Sequence, residues 1–234
     1  MVANAGATSR AMLLEAARLL NPMLDRVVFV GGATTWLFLS DPAAPEVRPT
    51  KDVDVIVEIG SLVQYHRLEQ ELHDIGFRQP MVGGGPICRW TFGELTLDVM
   101  PTDSTILGFS NQWYLEALRY ATERVLDPGV TILCVTAPYF VATKLEAFRG
   151  RGRGDFYASA DLEDIVAVID GRRELLEELR QMRREVRSFV AEGARGFLEN
   201  EDFRQALPGH LLVGDESPDR QSMFLKRLEQ IAAL

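Results

Sequence analysis

The segment KDVDVIVEI, residues 51–59, places two acidic residues at alternate positions at the start of an apolar run. Valine and isoleucine dominate this run, which predicts a buried β-strand. Side chains on a strand alternate between its two faces, so Asp52 and Asp54 share one face while Val53 and Val55 share the other. Two carboxylates held close together repel each other unless a cation lies between them. The segment therefore predicts a strand with a cation site at its start.

A double glycine stands before this strand. Gly31 and Gly32 follow the apolar run RVVFV and precede ATTWLFLS, which is predicted to be helical. A small-residue turn between a strand and a helix exposes backbone N–H groups at the positive end of the helix dipole, where phosphate oxygens bind. Thr34 and Thr35 offer hydroxyl donors beside it. Taken singly, a Gly-Gly pair is most often only a turn, and an Asp-x-Asp pair also occurs on solvated strand edges.

A third carboxylate lies in the segment ICRWTFGELTLDVM, residues 87–100, which alternates around Gly-Glu and predicts a β-hairpin. Asp98 is near the end of its second strand, on the face opposite Leu97 and Val99. Magnesium takes oxygen ligands, usually one or two carboxylates together with substrate phosphates. A phosphate-binding turn and three carboxylates in one unit indicate phosphoryl or nucleotidyl transfer, which depends on positioning and charge neutralisation.

The apolar periodicity predicts an α+β fold with a composition shift near Pro138. The front domain is predicted over residues 1–137 and a helical C-terminal region over residues 138–234. Predicted strands lie at 26–30, 52–59, 120–126 and 130–135, in addition to the hairpin. Predicted helices lie at 11–20, 33–40, 62–75, 112–118, 139–148, 161–169, 173–190, 196–207 and 221–233.

Composition excludes several classes of protein. The 234 residues are 47% hydrophobic and 25% charged, as in an ordinary folded protein, and no apolar run is long enough to span a bilayer. Cys88 and Cys134 are too few and too far apart for a disulfide framework, which favours the cytoplasm. The net charge of −9 argues against a broadly basic nucleic-acid binder, although a local basic groove is compatible with it.

The order Gly31-Gly32, Asp52-x-Asp54, Asp98 resembles the motif of the DNA polymerase β-like nucleotidyltransferase superfamily, over residues 27–101. The resemblance implies a core of mixed sheet flanked by helices. It implies one or two Mg²⁺ ions held by the paired acids, with an NTP as substrate. It also implies that the third acid completes the metal site and helps to deprotonate the attacking hydroxyl.

The back half is similar to the AbiEii-type nucleotidyltransferases, many of which are toxins of toxin–antitoxin pairs. Lys144 and Arg149 match their lysine-led helix, and Asp161 and Asp164 match the aspartate helix that follows. The resemblance implies that Lys144 contacts the triphosphate, that Asp161 lies near the active site, and that the helical region contributes to the active-site cleft.

The chain departs from the AbiEii pattern at Ala160, where a lysine commonly precedes the aspartate, and in its long GRGRGDFYASA connection. Lys144 has two interpretations from the residues alone: a buried lysine that needs an anionic partner, or a lysine that reaches solvent along the helix edge. The RGRGRGD segment, residues 149–155, either binds a phosphate backbone or is a solvated loop, and the second is favoured.

The leading hypothesis is an Mg²⁺-dependent nucleotidyltransferase in which Asp52, Asp54 and Asp98 hold the metal. Gly31, Gly32 and Thr34 then seat the phosphates, with Lys144 and Asp161 completing the catalytic set. The acceptor is a tRNA, a protein side chain or a small molecule such as an antibiotic, and a cognate antitoxin is the expected partner of a toxin; no membrane partner is expected. The alternative is a non-catalytic domain that binds nucleotide and acts as a scaffold or regulator.

Overall fold

The computed structural model describes residues 5–80, 86–150, 154–211 and 218–234. The chain divides into two compact units, which we name the sheet unit, Met1–Thr34 with Pro49–Thr136, and the helical unit, Thr35–Arg48 with Ala137–Leu234. Residues 35–48 lie within the predicted 1–137 domain but group with the helical unit. The glycine-rich segment 81–85 and residues 151–153, the centre of the RGRGRGD segment, lie outside the described residues.

The sheet unit contains a mixed six-stranded sheet, as the resemblance implied. Its strands are β1 (Val27–Val30), β2 (Val53–Val57), β3 (Arg89–Phe92), β4 (Leu95–Pro101), β5 (Thr122–Asp127) and β6 (Val130–Cys134), in the order β3-β4-β2-β1-β6-β5. The β1–β6 and β2–β4 pairs are parallel, and the β1–β2, β3–β4 and β5–β6 pairs are antiparallel.

Helices flank the sheet, namely α1 (Ala5–Leu19), α2 (Leu62–Ile75), α3 (Ser104–Leu107) and α4 (Tyr114–Arg119). Helix α2 has the bounds that the sequence predicts, because both ends carry strong caps. The Ser61 side chain accepts a hydrogen bond from the Gln64 N–H, and Gly76 adopts a φ of 111° at the C-terminal end. Helix α3 was not predicted, since four residues are too few to show a periodicity.

The segment after the double glycine is a seven-residue 3₁₀ helix, Gly32–Phe38, where the sequence predicts an ordinary helix. The Thr34 N–H donates to the Gly31 carbonyl at 3.0 Å, which is the i→i+3 bond of a 3₁₀ turn. Thr34, Thr35 and Trp36 are β-branched or aromatic, and such residues have weak helix propensity. The chain therefore makes a short, tight connection here.

The helical unit contains six helices among its described residues: α5 (Ala137–Gly150), α6 (Ala160–Gly171), α7 (Leu175–Gln181), α8 (Arg184–Glu199), α9 (Glu201–His210) and α10 (Pro218–Ala232). The prediction of a single helix over 173–190 is wrong. Met182 and Arg183 leave the helical conformation, with ψ of 160° and 148°, and they separate α7 from α8. Both helices continue the same apolar pattern and the break contains neither proline nor glycine, so periodicity alone does not reveal it.

The predicted helix over 196–207 is also divided, because Asn200 ends α8 and begins α9. Its backbone is extended, and its side chain accepts a hydrogen bond from the Phe203 N–H at 3.0 Å. Phenylalanines fill the core beside this junction, where the Phe197 and Phe203 rings stack with centroids 4.8 Å apart. Among the described helices, none combines the length and the apolar character that a membrane crossing requires.

Candidate active site

The three predicted carboxylates come together at one end of the sheet. Asp54 on β2 and Asp98 on β4 are directly paired on parallel neighbouring strands, so their side chains leave the same face. Asp52 precedes β2 by one residue and stands two positions before Asp54, so the alternation of the strand places it on the same side. The opposite face of β2 is apolar, and Val53 and Val55 are fully buried there. Strand alternation thus directs the acidic side chains away from this apolar face.

The glycine turn meets the acidic strand directly. Val30, the last residue of β1, pairs with Asp54 on the antiparallel strand β2, and Gly31 follows with a φ of +77°. A Cβ atom at position 31 would lie 1.9 Å from Asp54 Oδ2 and 2.6 Å from its Cγ. The carboxylate therefore occupies the space that the absent side chain leaves. Glycine is required here both for the backbone conformation and for this close approach.

Thr34, predicted as a phosphate ligand, is fully buried. Its hydroxyl donates to the Gly31 carbonyl at 2.8 Å and so stabilises the glycine turn. Gly32 is buried beside it. The predicted contacts of Gly31, Gly32 and Thr34 with phosphate stay predictions. In the structure, the Thr34 hydroxyl stabilises the turn at Gly31.

Arg89 on β3 contacts two of the three carboxylates. Its Nε donates to Asp98 Oδ1 at 2.8 Å, and its Nη2 donates to Asp98 Oδ2 at 2.7 Å and to Asp52 Oδ2 at 2.9 Å. Arg89 lies directly opposite Asp98 in the β3–β4 hairpin. The hydrogen bonds to Asp98 raise the pKa of the Arg89 guanidinium, and they outweigh the opposing effect of burial.

Sequence reasoning missed Arg89, although a signal was present. A hairpin that turns at Gly93-Glu94 pairs position 92 with 95 and position 89 with 98. Counting outward from the turn would have placed an arginine across from the third carboxylate. Residues of opposite charge at such directly opposed positions attract each other.

A magnesium ion suits the chemistry of this donor set, because carboxylate oxygens are its preferred protein ligands. Asp52, Asp54 and Asp98 carry three negative charges at one end of the sheet, and Arg89 compensates one of them. Within the described ranges, however, no group of three or more His, Cys, Asp or Glu side chains is placed to hold a metal. The guanidinium binds two of these carboxylates, so the donors fit the ion only once Arg89 withdraws.

Cys88 adjoins this cluster and is 3% exposed. Burial, followed by the negative charge of Asp98, raises the pKa of its thiol to about 12. The thiol is therefore protonated at neutral pH and is a poor nucleophile or metal ligand.

Lys144 and Asp161 belong to a second charged cluster, in the helical unit. Lys144 on α5 is 6% exposed, and its Nζ lies 3.1 Å from Asp161 Oδ1 and 2.7 Å from Asp164 Oδ2 on α6. Ser159 caps α6 by accepting a hydrogen bond from the Leu162 N–H at 3.3 Å, which fixes the first turn that carries Asp161. The interpretation of Lys144 as a solvent-reaching lysine does not hold.

Residues of the 35–48 segment complete the second cluster. Arg48 donates to both oxygens of Asp164, each at 3.1 Å, and the Thr35 hydroxyl donates to Oδ1 at 3.3 Å. Asp164 is 1% exposed, so its charge depends on these partners. Two cations, Lys144 and Arg48, thus compensate the carboxylates of Asp161 and Asp164. The predicted roles of Lys144 and Asp161 in nucleotide binding stay predictions.

Comparison with solved structures shows a relationship in fold. No family model matches the chain, and no curated protein matches it. The chain resembles the crystal structure of an antigenic nucleotidyltransferase-like protein from Paracoccidioides brasiliensis, with a TM-score of 0.51 and 18% sequence identity. The match covers 94% of this chain and 93% of that one. The chain therefore has a nucleotidyltransferase-like fold along nearly its whole length.

Proposed function

We propose that this protein is a magnesium-dependent nucleotidyltransferase that moves an NMP group from an NTP to a hydroxyl acceptor, with release of pyrophosphate. The observation that carries the proposal is the meeting of Gly31, Asp54 and Asp98. The turn that follows β1 lies against one carboxylate, and a second carboxylate is directly paired with the first. A buried core strand gains nothing from such an arrangement, because paired acids repel each other without a cation.

In this proposal Asp52, Asp54 and Asp98 hold the metal. When bound, the ion neutralises the phosphate charge and lowers the barrier to attack on the α-phosphate. Asp98 also accepts the proton of the acceptor hydroxyl, and the backbone of Gly31 and Gly32 seats the phosphates.

The surroundings of Lys144 differ from those expected of a lysine that is available to bind phosphate. Its ammonium is already paired with Asp161 and Asp164 inside the helical unit. We therefore propose that Lys144 acts on the nucleotide only if it gives up one of these carboxylates. Its first role is to hold α5 against α6.

A tRNA acceptor is proposed from the AbiEii resemblance, because many AbiEii-type proteins are toxins paired with an antitoxin. A protein side chain is the second acceptor class. The net charge of −9 weakens the tRNA case, since tRNA binding draws on phosphate contacts. A small molecule such as an antibiotic is the third acceptor class. Toxicity on expression that disappears in Asp54→Asn and on co-expression of a neighbouring gene would support the toxin role.

The proposal is tested by incubating the protein with Mg²⁺ and each α-labelled NTP, with total tRNA, with a small-molecule panel or without acceptor. Asp54→Asn is expected to reduce transfer by about 100-fold or more, in the range seen when one charge-stabilising group is removed. Glu94→Gln is the matched control, because Glu94 is an exposed carboxylate on the β3–β4 turn. Equal transfer by wild type and Asp54→Asn would refute the assignment.

A second candidate function is favoured by Arg89. An arginine bound to Asp52 and Asp98 supplies a permanent cation, which a binding-only domain could use in place of a metal. Nucleotide binding that is unaffected by EDTA, with no pyrophosphate release from any NTP, would select this non-catalytic scaffold over the enzyme.

A further inference from the structure

Arg89 occupies the position at which a cation is needed. One nitrogen, Nη2, donates both to Asp52 Oδ2 at 2.9 Å and to Asp98 Oδ2 at 2.7 Å, so a single positive group joins the two carboxylates. The Nε–H holds the other oxygen of Asp98 at 2.8 Å. Bidentate arginine–carboxylate pairs are among the strongest and most directional contacts in proteins.

The surroundings make this contact persistent in the metal-free protein. The Asp98 side chain is 10% exposed and the Arg89 side chain is 29% exposed, so solvent screens the pair only in part. Arg89 and Asp98 are also opposed across an antiparallel ladder, which fixes the distance between their Cα atoms. Without a cation the three acids would repel one another on one face of the sheet.

A divalent ion and the guanidinium exclude each other. An ion held by Asp52 and Asp98 would need the same oxygens that Arg89 binds, and the two positive groups would lie within a few ångströms of each other. The negative charge of the acids is compensated both when Arg89 is bound and when the metal is bound, but only one of the two cations fits between the carboxylates.

We infer that Arg89 is a resident cation that holds Asp52 and Asp98 in the metal-free protein and is displaced when a divalent metal binds. The inference rests on the proposed metal-dependent function, because it assumes that these carboxylates are metal ligands. The free energy of metal binding then includes the cost of separating the guanidinium from the carboxylates. The arginine lowers binding of free metal and keeps the carboxylates in position until metal arrives.

The test measures metal binding by the whole protein without nucleotide, so it does not depend on catalysis. Mn²⁺ is titrated by electron paramagnetic resonance, and melting temperature is recorded with and without Mg²⁺. Arg89→Met removes the charge but keeps a stem of similar length, and Arg89→Lys keeps the charge with fewer donors. Arg78→Met is the control, because Arg78 is an exposed arginine that bonds the backbone carbonyls of His73 and Phe77.

Arg89→Met is expected to bind Mn²⁺ at least about tenfold more tightly than wild type, since a competing charge is gone. Its melting temperature should be below that of wild type in EDTA and should recover in Mg²⁺, with a larger metal-induced rise than wild type shows. Arg89→Lys should fall between the two, and Arg78→Met should match wild type. Adding Asp52→Asn to Arg89→Met should abolish the gain in affinity.

Equal or weaker Mn²⁺ binding by Arg89→Met would overturn the inference and would assign Arg89 to positioning Asp98. If Arg89→Met does not fold, the Arg89 Nε–H signal of ¹⁵N-labelled wild type, identified by its absence in Arg89→Lys, decides the matter. The inference requires that this signal lose its protection from exchange as Mg²⁺ is added, and unchanged protection overturns it. If Arg89→Met binds metal more tightly but the wild type transfers no nucleotide, the proposed function is refuted and the inference stands. If the wild type transfers nucleotide but Arg89→Met has the metal affinity of wild type, the inference is refuted and the proposed function stands.

Discussion

The carboxylate of Asp54 lies in the space that a side chain at position 31 would occupy, 1.9 Å from where the Cβ would be. Gly31 and Asp54 are therefore a matched pair, although 23 positions separate them in the chain. The glycine allows the turn after β1 to approach β2, and the acid fills the gap that results.

Gly31→Ala should disturb this pair in two ways, by the cost of its positive φ and by displacing Asp54. Gly108→Ala is the control, because Gly108 has a φ of +78° and nothing lies within 4 Å of the place that its Cβ would take. The φ cost alone is about 1–2 kcal/mol. Urea unfolding should show a larger loss for Gly31→Ala, and only that variant should lose transfer. Equal losses in stability with full activity in both would contradict the close approach.

Lys144→Met should be strongly destabilising, because it leaves the buried carboxylates of Asp161 and Asp164 without their shared cation. Removing one partner of a buried ion pair costs about 3–5 kcal/mol. Lys226→Met is the control at an exposed lysine of α10 and should change stability by less than about 0.5 kcal/mol. The free energy of unfolding in urea gives both values.

The same variant separates two roles for Lys144. A stable Lys144→Met protein that has lost only nucleotide affinity would contradict the structural role and would favour direct contact with the triphosphate. Lys144→Met combined with Asp161→Asn should lose less stability than the sum of the single changes, since the two residues share one network.

Ser159→Ala should weaken the start of α6, the helix that presents Asp161 and Asp164. The Ser159 side chain accepts a hydrogen bond from the Leu162 N–H, and losing such a cap costs about 1 kcal/mol. Thermal unfolding should detect the change, and Ser159→Asp should restore stability because aspartate caps equally well. A failure of aspartate to rescue the variant would show that the serine acts through another contact.

Both thiols should be unreactive in the native protein at pH 8. Burial raises the pKa of Cys88 and of Cys134 to about 12, so the reactive thiolate is scarce and its fraction grows only as pH rises toward that value. Ellman's reagent should therefore detect almost no thiol in the native state and two per chain in urea. In Cys134→Ser, rapid native labelling of Cys88 would show that the chain beside the carboxylates opens.

The sequence by itself determined the local features. Alternation placed Asp54 of β2 and Asp52, one residue before the strand, on the same side of the chain. The Ser61 and Gly76 caps set the bounds of α2. Both features depend only on residues that are close together in the chain. The hairpin of β3 and β4 also followed from its turn. Helix breaks at Met182 and Asn200 did not follow, because the apolar stripe continues across them.

Only the tertiary structure decided which charges meet. The pairing of β2 with β4 brought Asp54 beside Asp98, and the β3–β4 hairpin brought Arg89 onto the same carboxylates. In the helical unit, the packing of α5 on α6 gave Lys144 its protein partners, and the 35–48 segment added Arg48. Charges need partners wherever burial removes water, and the sequence shows the charge but not the neighbour that folding brings to it.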